Sequence, residues 1–200
     1  MWNDGSNLET KGGLSIIPFA SRGAWEAWLE EHHVACEGLW LKISKKSSGI
    51  ESVSYAEALE AALCYGWIDG QRDSFDGEYF LQRFTPRRPR SKWSKVNVGK
   101  VTKLIEEGRM MPAGLREVER AKVDGRWEAA YESQSTATVP EDLQRRLDEN
   151  PEAAAFFATL NSANRYAILY RIQDAKRPET RARRIEKVVV LLNERKKLYP

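Results

Sequence analysis

Asp76-Gly77 separates two strand-like runs, Trp67–Phe75 and Glu78–Thr85, and that dipeptide in that setting is the strongest short-range signal for a β-hairpin. A lone hairpin is marginal in water, so the chain must supply further strands or a covering layer of helices. Alternation within the second run assigns its side chains. Phe80, Gln82 and Phe84 share one face, while Tyr79, Leu81 and Arg83 share the other.

Upstream, Leu14–Phe19 reads as an edge strand closed by Pro18. Ser21 can cap a helix with Trp25, Trp28, Leu29 and His32 on one face, ending near Gly38. Leu39, Leu41 and Ile43 then alternate with Trp40 and Lys42, the pattern of a half-buried strand. Ser54-Tyr-Ala-Glu57 is a capping box whose helix buries Tyr55, Leu59, Ala62 and Leu63 and stops at Gly66.

Downstream of the hairpin, Ser91 or Ser94 caps a helix with Val98, Val101, Leu104 and Ile105 inward, closed by Gly108. Pro112 opens another, with Leu115, Val118 and Ala121 inward, and Gly125 ends it. The polar segment 132–138 is the best linker, and beyond it every signal is helical. Thr138-Val-Pro-Glu141 reads as a second capping box; Asn150-Pro151, Ser162 and Pro178 start further helices. In the last of these Ala182, Ile185, Val189 and Leu192 point inward. The expected architecture is α+β: an antiparallel sheet packed with helices, followed by a small C-terminal helical bundle. The expected segments are a mobile leader over 1–13, an α+β domain over 14–133, a linker over 134–139 and a helical module over 140–200.

Charge and cysteine usage narrow the function classes. The net charge of +3 is too small by itself to mark a nucleic-acid or membrane protein. From Pro140 on, thirteen Lys/Arg face nine Asp/Glu, so the C-terminal part is the basic one. Cys36 and Cys64 read as free buried thiols in a reducing compartment. No apolar run approaches the ~20 residues of a membrane helix, and the polar, glycine-rich start lacks a signal-peptide pattern. A cytoplasmic location without membrane association is expected.

The candidate chemistry gathers around and after the hairpin. Arg83, Arg87, Arg88 and Lys92 precede a helix start, where free backbone N–H groups already favour an anion. Arginine forks bind carboxylate or phosphate in a bidentate way. Ser91, Ser94 and Asn97 would add polar contacts, and Trp67 or Trp93 would cover a planar ligand. Asp69, at the hairpin entry, is the candidate acid/base, although an aspartate beside glycine also serves to hold its own turn. His32 and His33 point about 100° apart on a helix and do not share a metal. No glycine-rich phosphate loop or nucleophile elbow is present, so neither metal nor cofactor is expected. The segment Lys176–Lys187 is a second basic cluster, with Glu179 and Glu186 available for local pairs.

Several stretches carry a family resemblance: Ser54-Tyr-Ala-Glu-Ala-Leu, Tyr65-Gly-Trp-Ile-Asp-Gly70, Arg83-Phe-Thr-Pro-Arg-Arg-Pro89, Lys92-Trp-Ser94 with Asn97, Gly108-Arg-Met-Met-Pro-Ala-Gly-Leu115, and Ala175-Lys-Arg-Pro-Glu-Thr-Arg-Ala-Arg-Arg-Ile185. Together they resemble the bacteriocin-protection YdeI/OmpD-associated family, commonly grouped with YjbR/CyaY-like proteins, over nearly the whole chain after residue 14. The resemblance implies a cytoplasmic bacterial protein of the stress-tolerance type, and brings no catalytic residue set with it. Three readings follow: a binding module for a small anionic or aromatic molecule, an enzyme using the same pocket with Asp69 as acid/base, and weak nucleic-acid binding through the two basic clusters.

Overall fold

The computed structural model describes residues 9–134 and 136–199, and the chain divides into two compact units. One takes the chain up to Ser91 together with Asn97–Glu128. The other takes Lys92–Val96 and the chain from Ala129 on.

The first unit is built on five strands: β1 (Thr10–Lys11), β2 (Leu14–Pro18), β3 (Leu39–Ser44), β4 (Trp67–Ser74) and β5 (Tyr79–Pro86), in the order β1-β2-β3-β5-β4. The Asp76-Gly77 hairpin forms as expected; Asp76 accepts hydrogen bonds from the backbone N–H of Glu78 and Tyr79. The α+β class holds, but the sheet is mixed. The helix α1 (Arg22–His32) links β2 to β3 as a crossover, so these two strands run parallel. β2 is therefore an interior strand rather than an edge. Of the leader expected over 1–13, residues 1–8 lie outside the described residues, and Thr10–Lys11 pair with Leu14–Ser15.

Register sorts the sheet into two faces. Leu39, Leu41 and Ile43 stand opposite Phe84, Gln82 and Phe80, whereas Trp40 and Lys42 stand opposite Arg83 and Leu81. Trp67 and Asp69 pair with Pro86 and Phe84, which places them on the Phe84 face. On that face an aromatic core forms. Trp67 meets Trp25 and Trp28 edge-on at 6.3 and 5.9 Å, and Trp25 lies 5.8 Å from Phe84. Two of the indole N–H groups are satisfied by backbone carbonyls, Trp25 by Ala58 and Trp67 by His33. On the opposite face Ile16, Trp40 and Leu81 make a smaller cluster.

Helix ends follow their sequence signals where a side chain can reach. Ser21 accepts from Ala24 N–H at the start of α1, and the Ser54/Glu57 capping box opens α2 (Tyr55–Cys64). α1 stops at His32, before Gly38. Tyr55 is 39% exposed rather than buried, and its hydroxyl reaches Asp69. In α3 (Lys95–Glu106), Val101 and Leu104 are inward as expected, while Ile105 is exposed. In α4 (Pro112–Val123), Leu115 is likewise exposed, and Gly114 takes the contact position. A Cβ on Gly114 would stand 2.2 Å from the carbonyl oxygen of Cys64, so only glycine lets α4 approach α2 this closely.

The second unit is a helical bundle: α5 (Glu141–Asp148), α6 (Pro151–Thr159), α7 (Ser162–Gln173) and α8 (Pro178–Asn193). Leu143, Leu147, Phe157, Ile168, Ile172, Ile185, Val189 and Leu192 form its core with their neighbours. The second capping box does not form; Pro140 itself holds the N-cap of α5, without a side-chain hydrogen bond. Asn161, one residue before the expected Ser162, caps α7. Ala182 is exposed, because Arg181 and Ile185 occupy the inward side of α8.

Candidate functional site

The strand register separates residues that the sequence grouped together. Trp67 is 0% exposed and lies on the helix-covered face, so its ring is core material and not a platform for a ligand. Arg83 stands on the other face of the same sheet, opposite Trp40. Asp69 is on the Trp67 face too, and therefore does not share a pocket with Arg83. The shift between Asp69 and Arg72 is a bulge, and Gln82 fills it by donating its amide to the carbonyls of Gly70 and Gln71.

Asp69 accepts a hydrogen bond from Tyr55 Oη at 2.8 Å. Partial burial of the phenol, and then that bond, push the Tyr55 pKa well above its ordinary value, so it remains a donor. Lys92 belongs to the second unit. Its ammonium donates to Asp174 and, at 3.0 Å, to Tyr170 Oη. Burial pulls the Lys92 pKa down, but those hydrogen bonds outweigh it and leave the pKa above its ordinary value. Trp93, also of the second unit, is 2% exposed, and its carbonyl accepts from Tyr131 N–H. Asn97 sits half-buried in the first turn of α3.

What the first unit does bring together is the turn after β5. Arg87 N–H donates to Gly66 O, while Arg88 N–H donates to Ser91 Oγ and Ser91 N–H returns to Arg88 O. Ser91 is thus a turn former, and Arg88 is held at the exposed rim. Arg87, by contrast, is only 6% exposed.

A further arginine, which no local sequence signal flags, completes this turn. Arg126 Nη1 donates to Ser91 O at 2.6 Å, and its Nε bonds Asp124 at 2.7 and 2.8 Å. The hydrogen bond from Arg126 holds the Asp124 carboxyl below its usual range. Arg126 Nη2 is screened from solvent and meets no hydrogen-bond partner among the described residues; the same is true of Arg83 Nε. Arg126 lies 35 positions from Ser91, just past the Gly125 stop, where no local pattern flags it. Chemically, Arg126 meets one carboxylate, Asp124, among the described residues and keeps Nη2 unengaged, with Arg88 exposed on the same turn, an arrangement suited to an oxyanion.

The C-terminal basic cluster is arranged differently. Arg181 makes a bidentate pair with Asp142, at 2.5 and 2.9 Å, and donates Nη1 to Ile172 O. Arg146 pairs with Glu186, and Arg184 lies 3.7 Å from Asp174. Among the described residues no group of three or more His, Cys, Asp or Glu is placed to hold a metal ion. Cys36 and Cys64 are free thiols, and Cys36 is half-buried rather than buried. No helix of the described residues is long and apolar enough to cross a membrane.

Comparison with known families divides the chain in a similar way. The chain belongs to the family described as Domain of unknown function (DUF8412), whose model matches residues 17–117. Residues 136–195 are similar to a second family, Bacteriocin-protection, YdeI or OmpD-Associated. That likeness covers the helical bundle and not the nearly whole chain that the motifs suggested, and neither match brings the YjbR/CyaY-like grouping with it. No curated protein and no solved structure matches the chain.

Proposed function

We propose that this is a cytoplasmic protein of the bacteriocin-protection or stress-tolerance type that binds a small anionic molecule at the turn after β5. The type rests on the family likeness of the bundle. The binding site rests on one observation: Arg126 is clamped by Asp124 and Ser91 O while its Nη2 is screened from solvent without a partner among the described residues. A guanidinium N–H left in that state carries a desolvation cost that a phosphate or carboxylate oxygen would offset. Arg88 at the exposed rim supplies further charge. The indoles have no part in this reading, so the ligand is recognised by charge rather than by stacking.

Thermal unfolding in inorganic phosphate and in citrate tests it. Bound anion raises Tm in proportion to ln(1 + [L]/Kd). Wild type should be stabilised at millimolar anion. Arg88→Ala and Arg126→Lys should each bind about tenfold more weakly, since a lysine cannot span Asp124 and the ligand together. No stabilisation by either anion, or equal stabilisation of all three proteins, would remove the site.

The Tyr55–Asp69 contact supports a second, enzymatic reading. Asp69 Oδ2 accepts from a phenol that stays protonated, at a strand edge where a substrate has access. Asp69→Asn should then abolish turnover while leaving anion-induced stabilisation intact.

A further inference from the structure

The bundle carries an open groove of about 570 Å³ between α5 and α8, lined by Asp142, Arg145, Arg146, Arg181, Ala182 and Arg183 together with Pro178, Ile185 and Glu186. Its polar groups are not equivalent. Asp142 is taken up by Arg181, and Glu186 by Arg146. Arg145 and Arg183 make no ion pair among the described residues, and both are exposed. The groove therefore has neutralised walls, two arginines left over, and a mostly carbon lining from Pro178, Ala182, Ile185 and the arginine stems.

We infer that this groove docks an acidic segment of another protein, with an apolar side chain over Ala182 and Pro178 and carboxylates on Arg145 and Arg183. Charge complementarity argues for that occupant. The two unpaired guanidinium groups call for oxyanions, and the carbon lining calls for apolar side chains; an acidic peptide with interspersed leucine or phenylalanine supplies both. Nucleic acid fits less well. A sugar–phosphate backbone makes little use of the groove's carbon lining. Small-molecule sites are usually more enclosed than a groove of this kind.

The test uses the full chain and a fluorescein-labelled peptide alternating Glu with Leu, read by fluorescence anisotropy. A Lys-for-Glu peptide, a DNA duplex and phosphatidylglycerol vesicles serve as comparison probes. Arg145→Glu with Arg183→Glu reverses the leftover charge. Ala182→Trp fills the groove without touching either arginine. All three positions are exposed and lie outside the buried core, so thermal unfolding should confirm that the variants stay folded. The acidic peptide should bind and weaken with salt, and each variant should lose about tenfold in affinity. The proposal is overturned if the acidic peptide does not bind, or if its affinity is unchanged in both variants. It is equally overturned if duplex or vesicles bind more tightly than the peptide and are lost in the same variants, or if the wild type self-associates in a manner that Ala182→Trp abolishes.

Discussion

Two arginine-rich segments of this chain look alike as text and behave differently in space. After β5, Arg88 and Arg126 meet at the Ser91 turn, where Arg126 engages Asp124 and keeps one donor without a partner among the described residues. On α8, Arg181 and Arg184 are met by Asp142 of α5 and by Asp174 just after α7, which leaves Arg183 at the exposed groove. The difference teaches that a run of basic residues has no fixed meaning until distant carboxylates are placed. A paired guanidinium stabilises the fold, whereas a guanidinium with a donor to spare is available to a ligand.

The contrast can be broken at several points. The largest effect is expected from Trp67→Ala, about 3–5 kcal/mol of stability by chemical denaturation, because the ring fills the core. If Trp67 instead served the ligand, stability would be nearly unchanged and anion binding would fall. Next comes Arg181→Ala. It strands Asp142 and the Ile172 carbonyl together and should cost the bundle about 1–2 kcal/mol, with no change in phosphate affinity at the turn after β5.

Protonation sharpens the same contrast. The hydrogen bond from Arg181 holds the Asp142 pKa below its ordinary value. The stability it contributes is therefore fully present above the unfolded pKa of about 3.9, and is lost as pH falls through the lower folded value. Wild type and Asp142→Asn should differ by about 1 kcal/mol or less at neutral pH and converge in acid, as seen in urea unfolding between pH 7 and pH 3. The smallest effect concerns the thiols. Burial pushes the Cys64 thiol up to about 11, so at neutral pH it stays protonated. Half-buried Cys36 should react with a maleimide well before Cys64, with mass spectrometry of the peptides as the readout.

Much of the fold was legible in the sequence because local chemistry decided it. Asp76-Gly77 set the hairpin, Ser54 and Glu57 capped α2, and Gly66 turned the chain with φ at +75°. What was not legible came from contacts between distant segments. The bulge at Asp69/Arg72 breaks simple alternation along β4, so the side of the sheet taken by Trp67 depends on its pairing with β5. Leu115 fits an apolar stripe, yet Gly114 brings α4 so close to Cys64 that the helix presents another face; on α3, Ile105 is exposed as well. At the candidate site Arg87, Arg88 and Ser91 were visible from their spacing. Arg126 was not, since only the folded chain carries it to Ser91 O.

The most direct measurement is NMR of the arginine guanidinium groups during a titration with inorganic phosphate. The Arg126 and Arg88 Nε–H signals should shift and saturate together, while Arg181, already held by Asp142, stays fixed. If Arg181 moved as far as Arg126, or if neither moved at millimolar phosphate, the division between paired and available arginines would be wrong.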